Sequence, residues 1–327
     1  MRTDTHHTDT HHTDIHLEQH TIPFDPAARD LGVAVGFDGS ANSELAVAYA
    51  AGVAARRGSP LSVITTYRAA LPVYANYASL GAEPEDAAWK QMAGYLLEDA
   101  AKLLTGHPGE VSYLTIEGDS VGALVEASAR AHLMVVGARG RGGFLGRVLG
   151  SVSSALPAHA QCPTVVVPAG GEPSTGQVVV GVDGSPHGRR AALHAAREAA
   201  ERGTSLLLLT AMQRPDSGEY WFPLRPGDAQ ELVERRRAEL AEDLAGEVAW
   251  VEQHVPGIEV SGEVQEGVAA AILHDAEPAA QLIVVGSHGR GALKSALLGS
   301  VSRATLHGAQ RPVMVVPPLH DARVEQA

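Results

Sequence analysis

Two glycine-rich segments of the chain share one spacing and have the composition of an anion-binding loop. Each consists of glycine, two residues, glycine, nine residues, glycine and serine, directly after an apolar run at residues 133–136 or 282–285. Glycine lets a backbone approach a phosphate closely and adopt positive φ, and successive N–H groups can then point into one concavity. The matching positions are Gly137, Gly140, Gly150 and Ser151 in the first copy, and Gly286, Gly289, Gly299 and Ser300 in the second.

The surroundings of these segments favour phosphate binding over an ordinary connection between a strand and a helix. Ser151 and Ser300 stand where a helix N-cap belongs, and the following helix would add free N–H groups and the positive end of its dipole. A plain loop with a serine cap is the alternative, because short motifs also occur by chance. Two copies in the same context make the phosphate site the better interpretation.

The order of elements restarts in the second half of the chain. A predicted strand at residues 32–37 leads into an Asp-Gly-Ser turn at Asp38, and a strand at residues 178–182 leads into the same turn at Asp183; further along, a strand is predicted at residues 258–263. Strands alternating with helices predict an α/β fold whose parallel sheet is covered on both faces. Ligands of such sheets bind beyond the carboxyl ends of the strands, so we expect one site in each half.

Composition divides the chain into two domains, two tails and a linker. The N-terminal residues repeat threonine, aspartate and histidine, so little can be buried and disorder is expected. Paired histidines beside aspartates could bind a transition metal, but without a fold to fix their geometry we expect a solvated tail and assign no metal site. The expected boundaries are 1–29 for this tail, 30–169 for the first domain, 170–176 for the linker, 177–318 for the second domain and 319–327 for a C-terminal tail.

Net charge and cysteine content exclude several classes of protein. The net charge of −13 disfavours a general nucleic-acid or anionic-membrane surface, which would need a basic face. Cys162 is the single cysteine, which excludes a disulfide framework and a cysteine-based zinc site. The chain starts without an apolar signal region and contains no apolar run of membrane-spanning length. We therefore expect a soluble cytoplasmic protein.

On these motifs the chain resembles the universal stress protein family, and specifically tandem members of its ATP-binding branch. The resemblance covers residues 31–168 and 177–317, and the glycine spacing is its most specific motif. It implies two tandem Rossmann-like domains of the adenine nucleotide alpha hydrolase type, each a five-stranded parallel sheet with helices on both faces. It also implies ATP at two sites per chain, with Mg²⁺ as a candidate bridging ion.

The same resemblance assigns roles to individual residues. Asp38 and Asp183 look like the acidic residue at the adenosine end of the ligand, although either could merely cap the next helix. Thr66 and Ala211 match the position whose backbone amide and carbonyl contact the adenine edge, and the glycine loops would hold ribose and phosphates. Further contacts are implied for Val152, Ser153, Val301 and Ser302 on the turn after each loop, with Arg139, Arg141, His288 and Arg290 as charge partners.

The resemblance also bears on the relation between the halves. The family's usual serine and histidine after the first glycine are kept as Ser287 and His288, whereas the first loop has alanine and Arg139; this departure concerns the relative affinity of the two sites. Residues 163–168 and 312–317 match fifth strands that pair across a two-fold interface in this family. An intramolecular pseudo-dimer and a further homodimer are therefore implied, and an edge strand blunted by proline is the alternative.

Several functions are compatible with these observations. The leading hypothesis is an ATP-binding sensor or regulator of the stress response that acts on an unknown protein partner. Slow ATP hydrolysis or phosphoryl transfer is an alternative, but the chain lacks the P-loop and kinase catalytic-loop patterns, so no catalytic residue is assigned. A nucleotide-independent interaction module is another. A dinucleotide oxidoreductase is disfavoured, because its glycine motif would follow the first strand of the unit.

Overall fold

The computed structural model describes residues 22–68, 83–141, 149–169, 175–213, 226–289 and 298–320. Predictions for residues 1–21, for linker residues 170–174 and for residues 321–327 lie outside this part of the chain. The first half contains strands β1 (Ile22–Pro23), β2 (Gly32–Gly36), β3 (Leu61–Tyr67), β4 (Val111–Glu117), β5 (Ala131–Gly137) and β6 (Thr164–Val167), and helices α1 (Ala41–Arg57), α2 (Glu83–Leu103), α3 (Ser120–Ser128) and α4 (Ser151–His159).

The second half repeats this series. Its strands are β7 (Gln177–Gly181), β8 (Leu206–Met212), β9 (Val260–Glu266), β10 (Ala280–Gly286), β11 (Val313–Val316) and β12 (Leu319–His320), and its helices are α5 (Pro186–Arg202), α6 (Pro226–His254), α7 (Ala269–Ala276) and α8 (Ser300–Gly308). The alternation of strands and helices confirms the predicted α/β fold class.

The first long helix of each half begins and ends at residues that satisfy its terminal backbone groups. Ser40 caps α1 and Ser185 caps α5, and each hydroxyl accepts a hydrogen bond from an N–H of the first turn, at 3.3 and 3.0 Å. At the other end, Gly58 and Gly203 adopt left-handed conformations with φ of 57° and 64°. Glycine adopts this conformation at little cost, so each helix ends there.

A single ten-stranded sheet joins the two halves. Its strand order is β4-β3-β2-β5-β6-β11-β10-β7-β8-β9. Every neighbouring pair is parallel except β6 and β11, which run antiparallel with Val166 opposite Val313 and Thr164 opposite Val315. Each half therefore contributes five parallel strands, and the fifth strands pair within the chain as an intramolecular pseudo-dimer. The alternative of a free, proline-blunted edge strand is wrong.

Two apolar layers hold the helices against the faces of this sheet. Because side chains alternate along a strand, Val33 and Val35 point to one face and Ala34 points to the other. The first layer includes residues of α1, α2, α5 and α6, and the second includes residues of α3, α4, α7 and α8. Each layer contains residues of both halves, so the core continues across the junction.

A buried charge cluster, formed by Arg57, Glu198 and Arg202 with Tyr49, lies where α1 meets α5. Glu198 is 1 % exposed. Its carboxylate accepts hydrogen bonds from Arg57 of the first half and from Arg202 of its own helix, the latter at 2.9 Å. Arg202 also donates to the Tyr49 hydroxyl at 2.7 Å. Since a buried carboxylate needs such partners, this cluster links the two halves beyond the paired strands.

The chain ends extend the fold further than the predicted tail boundaries. Residues 22–29 were expected to be disordered, but β1 pairs with β12 in parallel, with Ile22 opposite Leu319, and Phe24 is buried. Apolar residues beyond the repetitive segment explain this, because they cover the sheet end. The guanidinium of Arg29 is held by three backbone carbonyls at 2.7–2.8 Å, those of Ser128, Ala131 and Gln161.

One strand of the second half lies later than its sequence pattern indicated. The strand predicted at residues 258–263 is observed as β9, and it pairs with β8 from Leu206 opposite Val260 to Met212 opposite Glu266. The last residues of β9 are polar and sit at the edge of the sheet. The apolar pattern therefore ended before the hydrogen-bonded ladder did.

The structure shows the environment of the single cysteine and the length and polarity of the helices. Burial raises the pKa of the Cys162 thiol to about 12, so the residue packs as a small apolar side chain and is not a reactive thiolate. Within the described ranges, every helix is either too short or too polar to cross a membrane.

The charge cluster predicts an unequal response to two glutamate substitutions. Replacing Glu198 by alanine would break the buried ion pair with Arg202 and leave Arg57 with Glu201 alone, and we expect a loss of about 3 kcal/mol in the free energy of unfolding. Glu239→Ala is the control, because Glu239 forms exposed ion pairs with Arg235 and Arg236; it should leave stability nearly unchanged. Urea denaturation measures both variants, and equal losses would contradict the role given to Glu198.

Candidate functional site

The carboxyl ends of β2 and β5 border a cavity of about 470 Å³ in the first half. These strands are neighbours in the sheet, and the chain leaves them toward opposite sides, as at the ligand-binding switch point of an open α/β sheet. All ten residues assigned to the first site from sequence line this cavity: Asp38, Thr66, Gly137, Arg139, Gly140, Arg141, Gly150, Ser151, Val152 and Ser153.

Asp38 fixes the glycine loop to the end of β2. One carboxylate oxygen accepts the Arg141 N–H at 2.9 Å, and the other accepts the N–H and hydroxyl of Ser40 at 3.0 and 2.6 Å. The cap of α1 is Ser40, so the interpretation of Asp38 as a helix cap is wrong. Burial would raise the pKa of Asp38, but the hydrogen bonds from Ser40 and Arg141 outweigh it and hold the pKa below its ordinary value.

The loop glycines are required for close approach and not for an unusual backbone conformation. A Cβ on Gly140 would lie 2.4 Å from the Asp38 carboxylate, and one on Gly137 would lie 2.6 Å from the backbone oxygen of Asn42. The six motif glycines are all described, and none of them has positive φ. The expectation of positive φ is therefore wrong for these six glycines; positive φ occurs in the turn after Asp38, where Gly39 has φ 74°.

The predicted N-caps are each displaced by one residue. Gly150 occupies the N-cap of α4, with φ −79° and ψ 172°, and Gly299 occupies that of α8. Ser151 and Ser300 are instead the first helical residues, and the expectation that they cap these helices is wrong. Ser151 is exposed and lines the cavity.

A buried serine one turn later closes each loop. The Ser153 hydroxyl accepts the Gly150 N–H at 2.9 Å and donates to the Ala138 carbonyl at 2.6 Å. In the second half, the Ser302 hydroxyl donates to the Gly286 carbonyl at 2.6 Å. These hydroxyls hold the loop against the helix, so they position the site and do not point their protons at a ligand.

The start of α4 presents N–H groups to the cavity. The first hydrogen bond within this helix runs from the Ser154 N–H to the Gly150 carbonyl at 3.1 Å. The N–H groups of Ser151, Val152 and Ser153 precede it and have no carbonyl one turn back to bind. Together with the positive end of the helix dipole they make this wall of the cavity suited to an anion.

Two arginines add positive charge at the mouth of the cavity. Arg139 and Arg141 are both exposed, and the guanidinium of Arg141 lies directly over Gly39. A Cβ at Gly39 would be 2.2 Å from that guanidinium. Two cations therefore border the cavity beside the glycine loop that the Asp38 carboxylate holds.

The backbone of Thr66 faces the cavity at the end of β3. The Ile64 carbonyl accepts the Phe37 N–H at 2.8 Å, and the Tyr67 carbonyl accepts the Gly118 N–H at 2.9 Å on the opposite side. Because successive residues of a parallel strand bond to opposite neighbours, Thr66 faces the same side as Ile64. The ladder between β2 and β3 ends at Ile64, so the N–H and carbonyl of Thr66 lie beyond it.

Ala211 has the same geometry in the second half. The Leu209 carbonyl accepts the Val182 N–H at 2.9 Å, and the Met212 carbonyl accepts the Gly267 N–H at 3.1 Å. The ladder between β7 and β8 ends at Leu209. The backbone of Ala211 therefore extends past the end of β7, as that of Thr66 extends past β2.

The remaining residues of the second site lie at equivalent places. Asp183 accepts the Ser185 N–H at 3.0 Å, and a Cβ on Gly289 would lie 2.8 Å from its carboxylate. The described members are Asp183, Ala211, Gly286, His288, Gly289, Gly299, Ser300, Val301 and Ser302, at the carboxyl ends of β7, β8 and β10 and the start of α8. Arg290 lies outside the described residues.

Imidazoles replace other polar side chains beside the second glycine loop. His187 stands where the first half has Asn42, and its ring lies 6.4 Å from that of His288, between centroids. Burial lowers the pKa of His187, and the neighbouring Arg190 and His288 lower it further. His187 is therefore neutral at physiological pH, like the Asn42 side chain whose place it takes, and the two sites differ here in hydrogen-bonding groups and shape.

Several residues of the first cavity were not identified from sequence. Ser120 at the start of α3 and Leu96 of α2 line it, as do Ile64, Leu124 and Val136 at its apolar end. A Gly-Asp-Ser segment before a helix marks only a capped turn, and the apolar residues have the periodicity of ordinary core positions. Their place in the cavity follows from the packing of α2 and α3 on the sheet.

Comparison with known proteins agrees with this arrangement. The model of the universal stress protein family matches residues 32–168 and 175–317. The chain belongs to the universal stress protein family. Two universal stress proteins of Mycobacterium tuberculosis are each 36% identical to it over 295 residues, which cover 87% of this chain and 96% of each relative. One from Mycolicibacterium smegmatis is 37% identical over 310 residues, covering 89% and 99%.

Solved structures share the fold of this tandem universal stress protein. A universal stress protein of Archaeoglobus fulgidus has a TM-score of 0.61 at 20% identity and covers 89% of this chain and 99% of its own. A functionally unknown protein of Pseudomonas aeruginosa has a TM-score of 0.57 at 18% identity, covering 92% and 96%. At these identities the likeness concerns the fold alone.

The loop-closing serine gives a prediction for this universal stress protein that needs no ligand. Ser153→Ala would remove the hydroxyl that bonds both the Gly150 N–H and the Ala138 carbonyl. These two backbone groups still bond each other at 2.8 Å, so we expect a loss of about 0.5–1.5 kcal/mol in the free energy of unfolding. Ser154→Ala is the matched control, because the exposed Ser154 hydroxyl only donates to the Gly150 carbonyl; its loss should be clearly smaller. Thermal and urea denaturation measure both, and a control as damaging as Ser153→Ala would refute the assignment.

Proposed function

We propose that this universal stress protein binds one ATP in each half and acts in the cytoplasm as a nucleotide-dependent sensor or regulator of the stress response. The observation that carries the proposal is the first cavity, where helix N–H groups, a carboxylate and an exposed strand end meet. Its volume of about 470 Å³ lies in the usual range for small-molecule sites, roughly 300–1,000 Å³.

The charges of the cavity orient a nucleotide within it. The N–H groups at the start of α4 and the nearby Arg139 and Arg141 favour the triphosphate at that wall. Asp38 is an anion that would repel a phosphate but accept hydrogen bonds from ribose hydroxyls. The adenosine end is therefore expected beyond Asp38, toward the end of β3.

The end of β3 offers a pair of groups that suits adenine. Adenine carries an amino donor beside a ring-nitrogen acceptor, and the carbonyl and N–H of Thr66 can meet this pair. The walls near them are apolar, formed by Ile64, Leu124 and Val136. A base buried there would have apolar contact on its faces and backbone hydrogen bonds at its edge, which is the usual design of a small-molecule site.

The geometry supports binding more than efficient hydrolysis. Among the described residues that line the cavity, Asp38 is the only carboxylate, and both of its oxygens already accept hydrogen bonds from Ser40 and Arg141. The described residues also contain no cluster of side chains that could by itself hold a metal ion. Mg²⁺ would therefore accompany the phosphates and would not be held by a dedicated protein site.

The pairing of β6 with β11 limits how the chain could assemble further. The fifth-strand edges that would join two separate universal stress protein domains are already occupied within the chain. The homodimer implied by the resemblance stays a prediction, and it would have to use another surface. A regulatory protein partner is likewise part of the proposal.

Stoichiometry and site variants test ATP binding directly. We expect small molecules released from the denatured, freshly purified protein, together with isothermal titration with Mg-ATP, to give about two nucleotides per chain. Gly140→Leu and Gly289→Leu should each remove one site, because their Cβ atoms would lie 2.4 and 2.8 Å from Asp38 and Asp183. Gly246→Leu is the control, since a Cβ there meets nothing within 4 Å.

The outcomes separate the alternatives. ADP in place of ATP in the purified protein would support slow hydrolysis. Absence of released nucleotide, with no thermal shift on adding Mg-ATP, would overturn the proposal in favour of a nucleotide-independent interaction module. Unchanged binding in both glycine variants would show that any bound nucleotide lies elsewhere.

A further inference from the structure

The apolar ends of the two sites are built from matching residues. A Cβ on Gly36 would lie 3.2 Å from Leu124, and one on Gly181 would lie 3.2 Å from Leu273 in the second half. These pairs stand at equivalent positions of β2 and α3, and of β7 and α7. The same close contact between strand and helix therefore forms the floor of both sites.

Two hydroxyls in the first site have no counterpart in the second. The Thr66 and Ser120 hydroxyl oxygens are 2.7 Å apart, within hydrogen-bond distance, and both residues line the first cavity. At the equivalent positions the second half has Ala211 and Ala269.

Backbone geometry establishes that these positions correspond. The glycine that precedes each of the two helices, Gly118 or Gly267, has φ of 142° or 143°. Its N–H donates to the carbonyl of the residue after Thr66 or Ala211, at 2.9 and 3.1 Å. The strand end and the helix start are thus in the same register in both halves, and the hydroxyl pair is a true difference in side-chain chemistry.

The difference matters because hydroxyls and backbone groups recognise a base in different ways. The N–H and carbonyl of Thr66 or Ala211 have fixed polarity, and the carbonyl can only accept. Adenine presents a donor at its 6-position, whereas guanine presents an acceptor there. A hydroxyl rotates and can donate or accept, so a pair of them can satisfy either base. Against alanine side chains, a guanine oxygen beside the carbonyl would be left without a donor, at a real cost in a buried site.

We propose that the Thr66–Ser120 hydroxyl pair relaxes base selection in the first site, so that it accepts guanine as well as adenine nucleotides, while the second site is selective for adenine. This inference rests on the nucleotide binding proposed above. The duplicated chain would then respond to guanine as well as adenine nucleotides. The difference in selectivity is set by Thr66 and Ser120 in the first site and by Ala211 and Ala269 in the second.

Single-site proteins allow each half to be measured alone. Gly289→Leu isolates the first site and Gly140→Leu isolates the second, and titration with Mg-ATP and Mg-GTP gives the ratio of the two dissociation constants at each. We expect the preference for ATP over GTP to be about ten-fold larger at the second site, because a ten-fold change in affinity corresponds to about one net hydrogen bond.

Reciprocal substitutions then test the hydroxyls themselves. Thr66→Val with Ser120→Ala in the first-site protein should raise the preference for ATP over GTP about ten-fold. Valine keeps the branched shape and the backbone of Thr66, and the cap of α3 is Asp119 rather than Ser120, so the fold should be retained. Ala211→Thr with Ala269→Ser should produce the opposite change at the second site.

The results distinguish failure of this inference from failure of the proposed function. If neither single-site protein binds ATP, the nucleotide-binding proposal itself is wrong. If both bind ATP with the same preference over GTP, or if the paired substitutions leave the preference unchanged, nucleotide binding stands and the selective role of the hydroxyl pair is refuted.

Discussion

The antiparallel pairing of β6 with β11 is the interaction on which the rest of the molecule depends. A parallel half-sheet ends in an edge strand whose backbone groups need partners, and here each half supplies the partner of the other. The short strands at this junction are buried and consist almost wholly of β-branched residues, which suits a strand covered on both faces. Because the junction is a sheet ladder, the two apolar layers continue across it, and α1 and α5 meet over it at the Glu198 cluster.

The same architecture decides where a ligand can bind. Strands β2 and β5 are neighbours in the first half, and β7 and β10 are neighbours in the second. The aspartate turn and the glycine loop of each half therefore lie at the same edge of the sheet. Asp38 then joins them with a hydrogen bond to the loop backbone. That contact explains why residue 38 is an aspartate and residue 140 a glycine, because a side chain at Gly140 would occupy the space of the Asp38 carboxylate. The protein's own contacts therefore set the shape of the loop.

The fold class and the position of the first cavity were predictable from sequence. The buried strands are continuous apolar runs ended by glycine or aspartate, and the duplicated motifs gave the order of elements, so the fold class followed. The pairing of the fifth strands was implied by the family resemblance. All ten predicted residues of the first site line one cavity, because motif positions at strand ends converge in this topology. These are properties of local pattern and chain order, which a sequence carries directly.

What sequence could not supply depends on contacts between distant segments. The loop glycines suggested positive φ, but the requirement comes from Asp38 and Asn42, which approach from another part of the chain. Ser151 had the composition of an N-cap, yet the buried Ser153 closes the loop and shifts the cap to Gly150. The polar end of β9 belongs to a ladder with β8 that an apolar pattern does not reveal. Residues 22–29 join the fold through distant contacts of Ile22, Phe24 and Arg29.

Duplication has preserved the parts of the sites that act through backbone and has changed those that act through side chains. Strand ends, glycine contacts and the closing serine recur in both halves, and they are fixed by the sheet. The replacements fall at Asn42 against His187, Arg139 against His288, and Thr66 with Ser120 against two alanines. Such changes alter side-chain chemistry without disturbing the scaffold, since the strand ladders and close glycine contacts at these positions are made by backbone and Cβ atoms, which the exchanged residues share. A tandem chain can therefore keep two equally folded sites while their ligand preferences diverge, which two identical domains in a homodimer could not do.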